Sequence, residues 1–293
     1  MKRIAMVIAM TSFFCAEICA NTYYSTGSFA PNDLNSWKSN RSGNGMTPSS
    51  FTNNGDLFVI QAGDVMVTTA SWTFGNVGSA LEIESGGVLQ ADHQILFTGN
   101  FQLDNGSTYI HNNPFSVSSS AGASIFGGTE IFNAGSKVEI RDWVNNTTPL
   151  PSISWGSLVL NYERNLGGNW NQNAALTNVQ GNLTVKRTGT TGQSFRLTGT
   201  NNLNLTIAGS LEIENGILIA KDNQSSGVSV VQVNGDIIVI DGTLDLGTVN
   251  LKPDNELRFK GNFLVIGSGA VTSQSDNAML VANGASMDIG NLF

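Results

Sequence analysis

Short runs of alternating apolar and polar residues return along this chain at a nearly fixed interval. Val231-Gln232-Val233-Asn234-Gly235-Asp236-Ile237-Ile238-Val239 is echoed by Leu257-Arg258-Phe259-Lys260-Gly261-Asn262-Phe263-Leu264-Val265. The same frame fits Leu205 to Ile213 around Gly209 and Thr177 to Val185 around Gly181, so the glycines lie 28, 26 and 26 residues apart. Alternation is the signature of a strand with one face buried, and helical spacing fails throughout. A hairpin would return after about ten residues, whereas a period of about 26 suits one full turn of a coil carrying three short strands. Around Gly209 the predicted strands are Leu203 to Ile207, Leu211 to Ile213 and Ile217 to Ile219; around Gly235 they are Val231 to Val233, Ile237 to Val239 and Leu244 to Leu246.

The predicted fold is therefore all-β, a right-handed parallel β-helix (β-solenoid) of about 26 residues per coil. Stacking at about 4.8 Å would make roughly nine coils into a rod about 40 to 45 Å long. Positive φ is the expected reason for glycine at the corners. A β-sandwich also has many short strands, but it does not predict a constant interval. Residues 21–54 are polar and irregular apart from Phe29, Leu34 and Trp37, and are expected to cap the first coil, with Trp37 packed on it. The solenoid is expected over 55–293, starting at Gly55-Asp56-Leu57-Phe58-Val59-Ile60, with an outward excursion near 141–176 where Pro149 and Pro151 break the pattern.

Composition narrows the setting. Charged residues make up 12% of the chain, against about 25% in an average soluble protein. The net charge of −8 offers no basic stripe for nucleic acid or anionic lipid. Residues 1–20 read as a signal peptide: Lys2 and Arg3, an apolar run from Ile4 to Phe14, and cleavage expected after Ala20. That run is about eleven residues, short of the roughly 20 that span a bilayer, so no membrane span is expected after cleavage. Cys15 and Cys19 would leave with the signal, so the mature chain would rely on its core and its strand ladders without disulfides. The predicted location is secreted or cell surface.

The signal peptide, the opening Asn21-Thr22-Tyr23-Tyr24-Ser25 with Trp37, and the runs Gly181-Asn182-Leu183-Thr184-Val185 and Gly261-Asn262-Phe263-Leu264-Val265 resemble the exported repetitive β-solenoid proteins of Gram-negative bacteria. The likeness covers nearly the whole chain. It implies an exported, surface or adhesin-like role. Such proteins often end in a sorting or anchoring domain; here the sequence closes on Met287-Asp288-Ile289-Gly290-Asn291-Leu292-Phe293, which predicts either a longer protein or a partner over the last coil.

Candidate chemistry is sparse. Counting from the glycines groups Gln102, Thr184, Glu212, Ile238 and Leu264 in one outward column, and Asp104, Lys186, Glu214, Ile240 and Ile266 in the next. Neither is a carboxylate ladder, and the pair Glu212 and Glu214 lacks the surrounding groups that acid-base catalysis requires. No enzyme activity, cofactor or metal site is predicted. His93 and His111 are the only histidines, and no tandem calcium nonapeptide occurs. Trp143, Trp155, Tyr162, Glu163 and Arg164, near Glu139, Arg141 and Asp142, form a candidate carbohydrate site, since aromatics beside charges hold sugar rings. The competing reading makes the aromatics core and the charges surface ion pairs. The aliphatic outward residues Ile238, Ile240, Leu264 and Ile266 form a candidate interface. Together these predict a non-catalytic structural or adhesin-like surface module that contacts a surface glycan or other protein chains, including its own copies; the alternative is a polysaccharide-binding or polysaccharide-degrading β-helix protein.

Overall fold

The structure, a computed structural model, describes residues 20–114, 126, 128–190, 192–199, 201–221, 228–247, 255–273 and 278–282. The expected signal sequence up to residue 19 and the closing residues 283–293 lie outside that set. Among the described residues the strands are two to six residues long, and helical structure is limited to a 3-10 turn at Leu34–Ser36. Strands pair in parallel ladders, coil upon coil, to form a parallel β-solenoid with a spacing of about 26 residues. The strands predicted around Gly209 appear with the predicted bounds; around Gly235 the first begins two residues earlier, at Ser229–Val233, and the third is shifted by one residue, to Thr243–Asp245.

The longest sheet has nine strands, from Val65–Val67 to Phe263–Val265. Its inward column is in continuous register: Met66, Leu89, Tyr109, Val138, Leu158, Leu183, Leu211, Ile237 and Phe263 stack in turn, all buried. Burying each such side chain contributes about 1.5–3 kcal/mol. The other two faces of the coil are each divided. The strand leading into the long sheet belongs first to a six-stranded sheet ending at Thr129–Phe132, then to a second six-stranded sheet starting at Ser154–Trp155. The strand leading out belongs first to the pair Trp72–Phe74 and Ile95–Phe97, then to a five-stranded sheet starting at Trp170–Asn171. The chain thus builds two blocks that share only the long sheet.

The joint between the blocks is filled with rings. Trp143 lies 5.2 Å from both the His111 and Trp170 rings, and Trp155 lies 5.5 Å from Phe126 and 5.9 Å from Phe132. The segment after Ile140, expected to project outward, instead plugs this joint. Leu150 is buried, its N–H donates to Gln172 Oε1 (2.8 Å), and the indoles of Trp143 and Trp170 both donate to the Thr148 carbonyl at 2.8 Å. Pro149 and Pro151 lack the N–H groups that a ladder needs, so side chains satisfy this stretch where strand partners would elsewhere.

Corner glycines differ between the blocks. In the first block Gly63, Gly86 and Gly106 have φ of 86°, 83° and 83°, as expected for turns that only glycine enters freely. Their N–H groups donate forward, to Gly86, Gly106 and Gly135. In the second block Gly181, Gly209, Gly235 and Gly261 donate backward, each to the preceding corner glycine, at 2.9–3.0 Å. None of these four has positive φ, so the expected reason for glycine is corrected here. A Cβ on Gly235 would stand 2.6 Å from Ser210 Oγ and 2.8 Å from the Gly209 carbonyl. Close coil stacking, not turn shape, requires glycine at these corners.

At the first coil the irregular segment acts as a cap. Thr22–Ser25 adds a parallel strand to Leu57–Ile60, and Trp37–Lys38 closes that edge in antiparallel register. Trp37 is buried between Phe58 (5.2 Å) and Trp72 (6.1 Å), with its indole N–H on the Pro31 carbonyl at 2.9 Å. Along the edge strand Val65–Val67, Ser28 Oγ and Asn32 Oδ1 accept from the N–H groups of Val65 and Thr69, which blunts an edge otherwise open to pairing.

Candidate functional site

Outward side chains of the long sheet also run in register: Val67, Gln90, Ile110, Glu139, Val159, Thr184, Glu212, Ile238 and Leu264. Gln102 is not among them. It lies on the strand Asn100–Leu103 of a different sheet, between Glu82 and Ile131. Counting from Gly99 misplaces Gln102 and Asp104 because Gly99 turns the corner before that strand, one corner away from the position of Gly209. The order from Thr184 to Leu264 is as the glycine frame predicts.

The middle of this face is charged and internally paired. Glu139 is buried, accepting from Arg141 Nε at 2.7 Å and Asn161 Nδ2 at 2.9 Å, with Lys137 Nζ at 3.9 Å. Burial alone would raise its pKa, but the hydrogen bonds from Arg141 and Asn161, with the charges of Arg141 and Lys137, outweigh that and hold the carboxyl below its usual range. Arg164 Nε donates to Asp142 at 2.7 Å, Glu163 pairs with Arg187, and Lys186 lies 3.2 Å from Glu214. A shallow recess is lined by Asn112, Arg141, Asp142, Asn161, Glu163 and Arg164. Of these, the exposed pairs Glu163 with Arg187 and Lys186 with Glu214 contribute about 0–1 kcal/mol each.

Aromatic side chains do not reach this recess. Trp143 and Trp155 are 0% exposed and Tyr162 1%. Tyr162 follows Leu158 and Leu160 on the inward side of the strand Ser157–Tyr162, 5.3 Å from the Trp170 ring. The carbohydrate platform suggested by their nearness in sequence to Glu163 and Arg164 is thereby corrected. Strand alternation turns Trp155 and Tyr162 inward, while Trp143, past the end of the strand Lys137–Ile140, enters the joint. Glu163 and Arg164 are at the recess, without a ring face beside them.

Aliphatic residues Val67, Ile110 and Val159 stand singly in the outward column of earlier coils, whereas at the last coils two adjacent columns are aliphatic together. Ile238 pairs in register with Leu264, while Ile240 and Ile266 extend the ladder, the Ile266 N–H donating to the Val239 carbonyl at 2.8 Å. Ile238, Ile240 and Leu264 are half-buried and Ile266 is 49% exposed. The four residues of the candidate interface are therefore together on one outward surface, bordered by Glu212 and Glu214 one coil below.

Sequence reasoning assigned no role to His111, which is buried in the joint. The alternation of Tyr109 and His111 on one strand was the available signal. Among the described residues no group of three or more His, Cys, Asp or Glu could hold a metal ion, and no helix is long and apolar enough to cross a membrane. The chain matches no protein-family model, and no curated protein or solved structure matches it.

Proposed function

We propose that the protein is an exported, non-catalytic structural module of the adhesin-like kind, which packs against further copies of itself through the aliphatic outward face of its long sheet. The observation that carries this reading is the side-by-side placement of Ile238 with Leu264 in one outward column and of Ile240 with Ile266 in the next, where the coil below carries Glu212 and Glu214. Aliphatic side chains on an outward sheet face are unfavourable in water and mark a contact surface. The paired charges of the middle coils leave few groups free for chemistry, which favours a scaffold. The signal-like opening sequence, from Lys2 to Ala20, supports export, and its resemblance to Gram-negative surface solenoids suggests the setting.

The test combines light scattering with a glycan array on one purified sample. Association that rises with concentration, without selective glycan retention, is the expected result. Selective glycan retention by a strict monomer would overturn the reading in favour of a polysaccharide-binding module.

A further inference from the structure

We infer that the joint between the two blocks is an acid-operated latch, in which adding a proton to the His111 imidazole loosens the packing of Trp143 and Phe126 and parts the blocks while the long sheet persists. The geometry points to this residue. His111 ends the strand Thr108–His111, stacked between Ala91 and Ile140 and 3% exposed. Its Nδ1 lies 3.0 Å from the Tyr109 hydroxyl, while Nε2 is buried with no hydrogen-bond partner among the described residues. The Trp143 ring packs on it at 5.2 Å and the Phe126 ring at 6.3 Å. A neutral imidazole needs only one of its nitrogens to donate, but an imidazolium has two N–H donors and a charge. Among the described residues Nε2 has no hydrogen-bond acceptor, and the Asn113 backbone offsets the burial of a charge only in part. The residue sits where both flanking faces of the coil change sheets and where the corner bonds reverse direction, so the neighbouring ladders are least continuous there.

Among the described residues no neighbouring charge offsets that cost. Tyr109, on the same strand, is itself held neutral by burial. From the preceding coil Asp92 is committed to Gln90 and Asn112. From the following coil Arg141 and Asp142 meet the His111 carbonyl through their backbone N–H groups, while their side chains pair with Glu139 and Arg164. Phe126 and Trp143 carry no charge. Desolvation pushes the imidazole down to about 4, with a smaller opposing contribution from the Asn113 backbone. An unfolded histidine titrates near 6.5. Between those values the unfolded chain binds a proton that the folded chain refuses, so stability falls as the pH drops from about 6.5 to about 4. Glu130, a half-buried carboxyl whose pKa burial raises, acts in the opposite direction. The depressed Glu139 loses its contribution only below the usual carboxylate range.

Urea unfolding of the purified protein at pH 7.5 and pH 5.0, compared with His111→Gln, tests the latch. The unfolding constant of the wild type is expected to rise roughly 20- to 30-fold on acidification beyond the change seen in the variant. Equal pH dependence in the two would overturn the inference. With two histidines in the chain, the wild-type imidazole ring-proton signals provide a second measurement that does not depend on the variant folding. His111 should remain untitrated to about pH 5, and a midpoint near 6.5 in the folded protein would contradict the account. Hydrogen exchange at pH 5.0 should accelerate first around residues 141–171, and uniform acceleration along both blocks would remove the joint from the explanation.

Discussion

Two kinds of glycine hold the corners of this solenoid, and they answer differently to substitution. Gly63 has a φ of 86° and open space within 4 Å of a built Cβ, so the constraint there is conformational. Gly235 has no such φ, but a Cβ would meet the backbone of Gly209 at 2.8 Å. Asparagine tolerates the left-handed region and should be accepted at Gly63 at a cost of up to about 1 kcal/mol. Gly235→Asn should cost about 2 kcal/mol or more, because the coil must separate. Denaturant midpoints of the two variants check this, and equal losses would argue against the steric account. The periodic glycines were plain in the sequence, but the reason for them was not, since a corner's φ depends on how many residues turn it. A second signal was present beside them. Ser157, Asn182, Ser210, Asp236 and Asn262 each follow a corner glycine, and in every case the side chain of one accepts from the N–H of the next.

Among elements, the segment from Asp142 to Pro151 departs furthest from its sequence reading. Asn145, Thr147, Thr148 and the two prolines have the composition of a surface loop, but Leu150 and the Thr148 carbonyl are bound into the joint by Gln172, Trp143 and Trp170. Local composition carries no record of indoles supplied from residues on either side of the loop. Strands in the second block were legible nearly to the residue, since there the 26-residue register repeats twice over. In the first block coil length is uneven and the chain turns its corners elsewhere, so the same glycine count put Gln102 on the wrong sheet. Because Trp143 is a joint residue and not a sugar platform, Trp143→Phe should lower stability by about 1–3 kcal/mol through lost packing and one lost hydrogen bond. It should leave any glycan retention unchanged. Thermal unfolding and glycan retention of the variant, measured together, separate those outcomes.

At the scale of the whole molecule, an acidic, weakly charged chain has placed most of its aromatics inside, paired outward charges in the middle coils, and set aliphatic side chains side by side outward at the later ones. The fold was readable because a solenoid repeats its constraints, and the aliphatic face was readable because register is fixed wherever the opposite face is buried. The candidate glycan site was not, because its rings and charges alternate in and out along the same segments. The most direct test of the account is light scattering of the wild type and of the Ile240→Lys, Ile266→Lys double variant over a range of concentrations, with thermal unfolding as a control. The account predicts a wild-type mass that rises with concentration and a double variant that stays monomeric with nearly unchanged stability. A wild type that is monomeric throughout, or a double variant that associates equally well, would contradict it.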